Sequence, residues 1–167
     1  MKKELYVALI MGISFSALAA KNNHSSPRNY NELVKELEGV KDAKNDLQFY
    51  SEIISDYQAG KSKTLNLRLN SFIKKFPKSP YIDNSIYLAG KLALEEKNYP
   101  EALQHFQKII TQYPLSNKVI SAKFGKAMAY KKMNLNPQAK EVFTDIRKKY
   151  PNSPEYFRAE TEMKLIK

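Results

Sequence analysis

The amino-acid sequence predicts an all-α fold: a right-handed superhelical stack of helix pairs, closed at the C-terminus by a single capping helix. Three observations carry this prediction. An aromatic residue followed by Pro recurs at Phe76, Tyr113 and Tyr150, each time after 37 residues. Between these marks the apolar residues keep a helical period. The marks themselves place a helix-stopping Pro and, at Ser79 and Ser153, a helix-starting Ser within a few positions. A fixed interval of this size means that one supersecondary unit is copied and stacked on itself.

The elements follow in order. "MKK" precedes an apolar run from Leu5 to Ala20, and Ala17 to Ala19 offer a small-residue cleavage pattern. This is the layout of a secretory signal peptide, expected over residues 1–19. It implies a periplasmic protein; a leader retained as an inner-membrane anchor is the alternative, although the run is shorter than the roughly 20 residues of a span. Residues 20–41 read as a polar linker with a short helix, in which Leu33, Val34 and Leu37 share a face before Gly39. Residues 42–167 read as the repeat domain, with units at about 43–79, 80–116 and 117–153 and a capping helix at 154–167.

Each unit is a helix pair whose second helix carries one apolar stripe. The stripes are Leu65, Leu69, Phe72, Ile73 and Phe76, then Ala102, Phe106, Ile109, Ile110 and Tyr113, then Ala139, Val142, Phe143, Ile146 and Tyr150. Pro77, Pro114 and Pro151 end these helices. Ser79 and Ser153 are expected N-caps, with Pro80 and Pro154 at the first helical position, where a missing N–H costs nothing. Lys74, Lys75, Lys148 and Lys149 precede the stop, where they complement the helix dipole; a basic stripe for an anionic partner is the alternative.

Gly90, Ala102, Phe106 and Pro114 follow one another at steps of 12, 4 and 8 residues, and Ala127, Ala139, Phe143 and Pro151 repeat those steps. This spacing resembles the tetratricopeptide repeat, which sets small residues where paired helices cross. The first unit departs from it, with bulky Ile53 and Leu65 at the small sites and Leu69 in the aromatic place, so its helices are expected to stand farther apart. From "FPKSPYIDNSIYLAGKLALEEKNYPEALQHFQKIITQYPLS", the region from Leu47 to Leu165 also resembles the C-terminal repeat domain of the periplasmic Tol–Pal-associated coordinator family (YbgF/CpoB type). That resemblance implies an exported scaffold in cell-envelope organisation or cell division. It does not extend to the trimerising coiled coil of that family, because no sustained heptads precede the repeats. A more distant resemblance, in the Tyr-Pro-x-Ser punctuation, is to BamD-type outer-membrane assembly factors, whose lipidated Cys has no counterpart here.

No catalytic constellation, cofactor motif or metal motif emerges, so an enzyme is not expected. The chain has no Cys and two histidines, His24 and His105, without a second ligand at metal spacing. Glu95 and Glu96 are adjacent and point apart on a helix. The five glycines never cluster into a phosphate loop. The expected activity is binding of a protein or peptide partner of the cell envelope. In such stacks the first helix of each pair lines the concave face, which here offers Tyr50, Ile54 and Tyr57, then Asn84, Tyr87, Lys91 and Glu95, then Phe124, Met128 and Lys131. The competing reading is that Tyr87 and Phe124 pack between repeats. The net charge of +11 adds a peripheral contact with anionic envelope surfaces as the alternative, and no nucleic-acid motif accompanies it. The oligomeric state is left open.

Overall fold

The computed structural model describes residues 45–166. The expected signal peptide and linker, residues 1–41, lie outside the described residues. Seven helices and no strand occur among the described residues: α1 (45–58), α2 (Ser62–Lys75), α3 (Ile82–Glu95), α4 (Tyr99–Gln112), α5 (Val119–Lys132), α6 (Asn136–Lys149) and α7 (Pro154–Lys164). Every helix boundary of the first and second pairs recurs 37 residues later in the next pair. Helices α1/α2, α3/α4 and α5/α6 are the pairs, and α7 closes the stack against α6 and α5. The fold is thus an all-helical stack of the tetratricopeptide type.

The long turns between pairs have one geometry, because one piece of local chemistry is written three times. Phe76, Tyr113 and Tyr150 are the C-caps of α2, α4 and α6, and their N–H groups still reach the carbonyls of Phe72, Ile109 and Ile146. The N–H groups of Ser79, Ser116 and Ser153 then bond back to the three cap carbonyls at 3.0–3.1 Å. Ser153 is a true N-cap: its Oγ accepts from Tyr156 N–H and Pro154 opens α7. Ser79 differs from the expectation. The N-cap of α3 is Tyr81, and Ser79 Oγ accepts from the Tyr81 N–H at 3.2 Å. Ser79 and Pro80 therefore form a preliminary turn. Tyr81 is held at the boundary by its ring, stacked on Tyr50 at 4.8 Å.

The short turns inside the pairs also repeat, and the sequence reading passed over them. Gly60, Lys97 and Asn134 adopt φ of 65°, 64° and 59°. These left-handed residues end α1, α3 and α5. The following N–H groups, of Lys61, Asn98 and Leu135, bond five residues back to Asp56, Ala93 and Tyr130 at 2.8–2.9 Å. This is the Schellman arrangement, which satisfies helix-end carbonyls.

Core burial follows the repeat register. Ile53, Gly90 and Ala127 are buried at one position, and Leu65, Ala102 and Ala139 at the next. Leu69, Phe106 and Phe143 follow, then Phe72, Ile109 and Ile146, all at 0–2% exposure. The first unit thus keeps the burial pattern while enlarging the small sites and shrinking the aromatic one. It carries Phe72 where the others carry Ile, and Phe49 and Phe76 pack on that ring at 5.9 and 6.0 Å.

Candidate functional site

The first helices of successive pairs form an inner row. Helix α3 packs on α5 and α5 on α7, whereas α4 and α6 make no backbone contact with each other. Side chains join α1 to α3: Asn84 Nδ2 donates to Tyr50 OH, and Tyr57 OH donates to Glu95 Oε1 at 3.1 Å. Farther along, Ser121 donates to Glu155 at 2.7 Å and Lys131 pairs with Glu162 at 2.6 Å, tying α5 to α7.

Lys91 sits at the middle of this row. Its ammonium lies 5.2 Å from the Tyr57 ring centroid and 4.0 Å from Glu95 Oε1. The hydrogen bond to Tyr57 raises its pKa, outweighing burial, with the charges of Tyr57, Glu95 and Tyr87 assisting. Lys91 therefore stays cationic throughout the neutral range. Lys118, which the sequence reading did not single out, lies 5.8 Å from the Tyr87 ring centroid. Two ammonium groups thus sit against two tyrosine faces, leaving their other sides for a ligand's acceptors.

The ten residues expected on this face are not equivalent, and Ile54 among them is half-buried. Tyr50, Tyr57, Asn84, Tyr87, Lys91, Met128 and Lys131 are half-buried and Glu95 is exposed. Tyr87 also leans on the Phe106 ring, 6.1 Å away. Phe124 is only 5% exposed. Its ring lies 5.6 Å from Phe143, and the Arg158 guanidinium of α7 covers it at 4.1 Å. That ring belongs to the packing of α5, α6 and α7. Nothing in the sequence pattern pointed to Arg158, because its partner lies 34 residues away on another helix.

The small residues behave as contacts between paired helices. A Cβ on Gly90 would lie 2.8 Å from Phe106 Cε1 and 3.2 Å from His105 Cβ, both on α4. Gly125, which the sequence reading missed, meets the same ring: a Cβ there would lie 2.5 Å from Phe106 Cζ. Its signal was available, since a helix-interior Gly costs about 1 kcal/mol and needs a reason. Ala102, Phe106, Ala127, Ala139 and Phe143 are fully buried, and Pro114 and Pro151 are exposed in the turns.

Two further ionisable groups are tuned by their surroundings. Burial lowers the His105 pKa, with Glu101 partly opposing and Lys108 adding to the shift. Its Nε2 is buried without a hydrogen-bond partner, 3.7 Å from Glu101 Oε1. Burial pushes the Asp145 carboxyl up, but hydrogen bonds from Lys123 and Lys149 and their charges outweigh it and hold it below the usual carboxylate range. Asp145 thereby clamps α5 to α6. A shallow hollow of about 380 Å³ opens beside the second long turn, lined by Asp83, Gln112, Tyr113, Pro114, Leu115 and Ser116.

Comparison with known proteins agrees with this architecture. The chain is 31% identical over 124 residues to the outer membrane protein assembly factor BamD of Rickettsia prowazekii (strain Madrid E), an alignment that covers 64% of this chain and 49% of that protein. The chain therefore spans about half the length of that relative. The family described as Tetratricopeptide repeat matches residues 93–162, which omits the first unit with its bulky Ile53 and Leu65. The protein is built as a tetratricopeptide-type stack, and residues 93–162 are its match to that repeat family.

Proposed function

We propose that this chain is an exported, non-enzymatic protein–protein interaction scaffold of the bacterial cell envelope, holding an extended segment of a partner against α1, α3 and α5. One observation carries the reading: the half-buried Tyr57, Lys91, Tyr87 and Lys118 stand together on the inner row, with both ammonium groups on ring faces. Rigid aromatics give contact area at little entropic cost, and the cations add orientation. Export rests on the expected leader. Among the described residues no helix is long and apolar enough to cross a membrane. The likeness to an outer-membrane assembly factor favours a role in outer-membrane protein assembly. The Tol–Pal coordinator reading is the second, and it rests on the sequence resemblance.

Site-specific photocrosslinking in envelope preparations tests the proposal. A crosslinker at Lys91 should capture a discrete partner, and one at Leu67, exposed on α2, should not. Capture of an outer-membrane protein assembly component supports the first role and capture of a Tol–Pal component the second. Equal labelling from Lys91 and Leu67 would sink the groove.

A further inference from the structure

The long turns bring the C-termini of α2, α4 and α6 to one edge of the stack, beside the N-termini of α3, α5 and α7. At the centre of this edge stands Leu115, 99% exposed. It is held out by a closed turn, in which Ser116 N–H donates to Tyr113 O at 3.0 Å. The same position is Lys78 in the first unit and Asn152 in the third, so the turn itself does not require a leucine. The long turns of the units on either side carry Lys74, Lys75 and Lys78 in the first and Lys148 and Lys149 in the third, all exposed. No carboxylate pairs with Lys74, Lys78 or Lys148 among the described residues. The acidic groups at this edge are tied back: Asp83 accepts from Ser116 Oγ and its neighbour's N–H, and Glu155 accepts from Ser121. The opposite edge mixes signs, with Glu95, Glu96 and Glu101 around Lys97.

We propose that this edge is a membrane-contact surface that rests on anionic phospholipid, with Leu115 entering the headgroup region and the unpaired lysines contacting lipid phosphates. The chemistry favours a lipid surface over a protein. A protein hot spot gathers several large side chains in a dry pocket. Here one aliphatic side chain projects from the turn between two lysine-bearing turns, which suits a soft, negatively charged boundary. The contact leaves Tyr57 and Lys91 of the inner row unused, and Lys118, the N-cap of α5, stands where edge and row meet.

The chain has no Trp, so Leu115→Trp supplies a single local reporter. Vesicles of equimolar phosphatidylglycerol and phosphatidylethanolamine should shift its emission to the blue, and vesicles of phosphatidylcholine alone should not. Leu67→Trp, 72% exposed on the outer face of α2, should stay unshifted with both and reports any background from the apolar N-terminal segment. In the Leu115→Trp chain, replacing Lys74, Lys78 and Lys148 by Gln should weaken the response by about fivefold per lysine. Lys63→Gln with Lys132→Gln, on the opposite edge, should leave it unchanged. An unshifted Trp at 115, an equal shift at 67, an equal response to phosphatidylcholine, or indifference to the three lysines each overturns the proposal.

Discussion

The ring of Phe106 fills the place in which a side chain at Gly125 would have to begin. A Cβ there would stand 2.5 Å from Cζ and 2.6 Å from Cε2 of a ring with no solvent exposure. Gly90 meets the same ring at 2.8 Å. One aromatic of the second unit is therefore enclosed by a glycine of its own pair and a glycine of the next. The junction between units depends on both.

Gly125→Ala should accordingly destabilise the stack by about 1–3 kcal/mol, because the enclosed ring has little room to retreat. Gly90→Ala should cost less and Gly90→Leu more. Denaturant melts read this directly. Adding Phe106→Leu to Gly125→Ala should recover part of the loss, a coupling that independent sites would not show. A Gly125→Ala protein that melts like the parent would mean that the ring is not trapped.

Stability and binding should separate on the inner row. Lys91→Ala should leave the melting midpoint nearly unchanged, since its ion pair with Glu95 is long and exposed. It should weaken capture of the partner. Tyr87→Ala should lower both, because its ring also leans on Phe106. Loss of stability in Lys91→Ala together with unaltered capture would argue against this division.

His105 should contribute an acid-sensitive part of stability. Burial lowers its folded pKa, so the folded chain favours the neutral imidazole. The contribution is complete above the ordinary His value of about 6.5 and is lost as pH falls from there through the lower folded value. Chemical denaturation of the parent and of His105→Gln, at about pH 7.5 and about pH 5, exposes it. The parent's advantage should shrink toward the acid end, carboxylate effects cancelling in the difference. A difference that stays constant or grows toward acid pH contradicts the assignment.

Lys97 occupies a left-handed conformation at φ 64°, which costs a side chain with a Cβ about 1 kcal/mol. Lys97→Gly should raise stability by about 0.5–1 kcal/mol, the strain relieved being partly offset by chain entropy. Gly60→Ala, at the matching position of the first unit, should lower it by a similar amount. Thermal melts of the two variants should move in opposite directions.

The helix count of each unit, the 37-residue register and the end of each second helix are legible in the amino-acid pattern. These are local matters: a missing N–H at Pro and an apolar period of 3.6 act within a turn or two. The sequence by itself also marked Gly90 as a close crossing, because a costly Gly inside a helix calls for a neighbour. It did not show the left-handed residue at Lys97, since Lys has no preference for positive φ. There the shared geometry with Gly60 and Asn134 is imposed by the pairing of α3 and α4. The tertiary structure alone decided what each side chain faces. Phe124 has the spacing of a groove residue, yet α6 supplies Phe143 and α7 supplies Arg158 to enclose it. Gly125 has no repeat counterpart, and only the docking of α4 against α5 gives it a role. The long turns are written in the sequence, but that they align at one edge, with Leu115 outward between two lysine-bearing turns, follows from the stacking. Periodicity fixes which face of a helix is apolar; only packing between helices fixes which neighbour covers it.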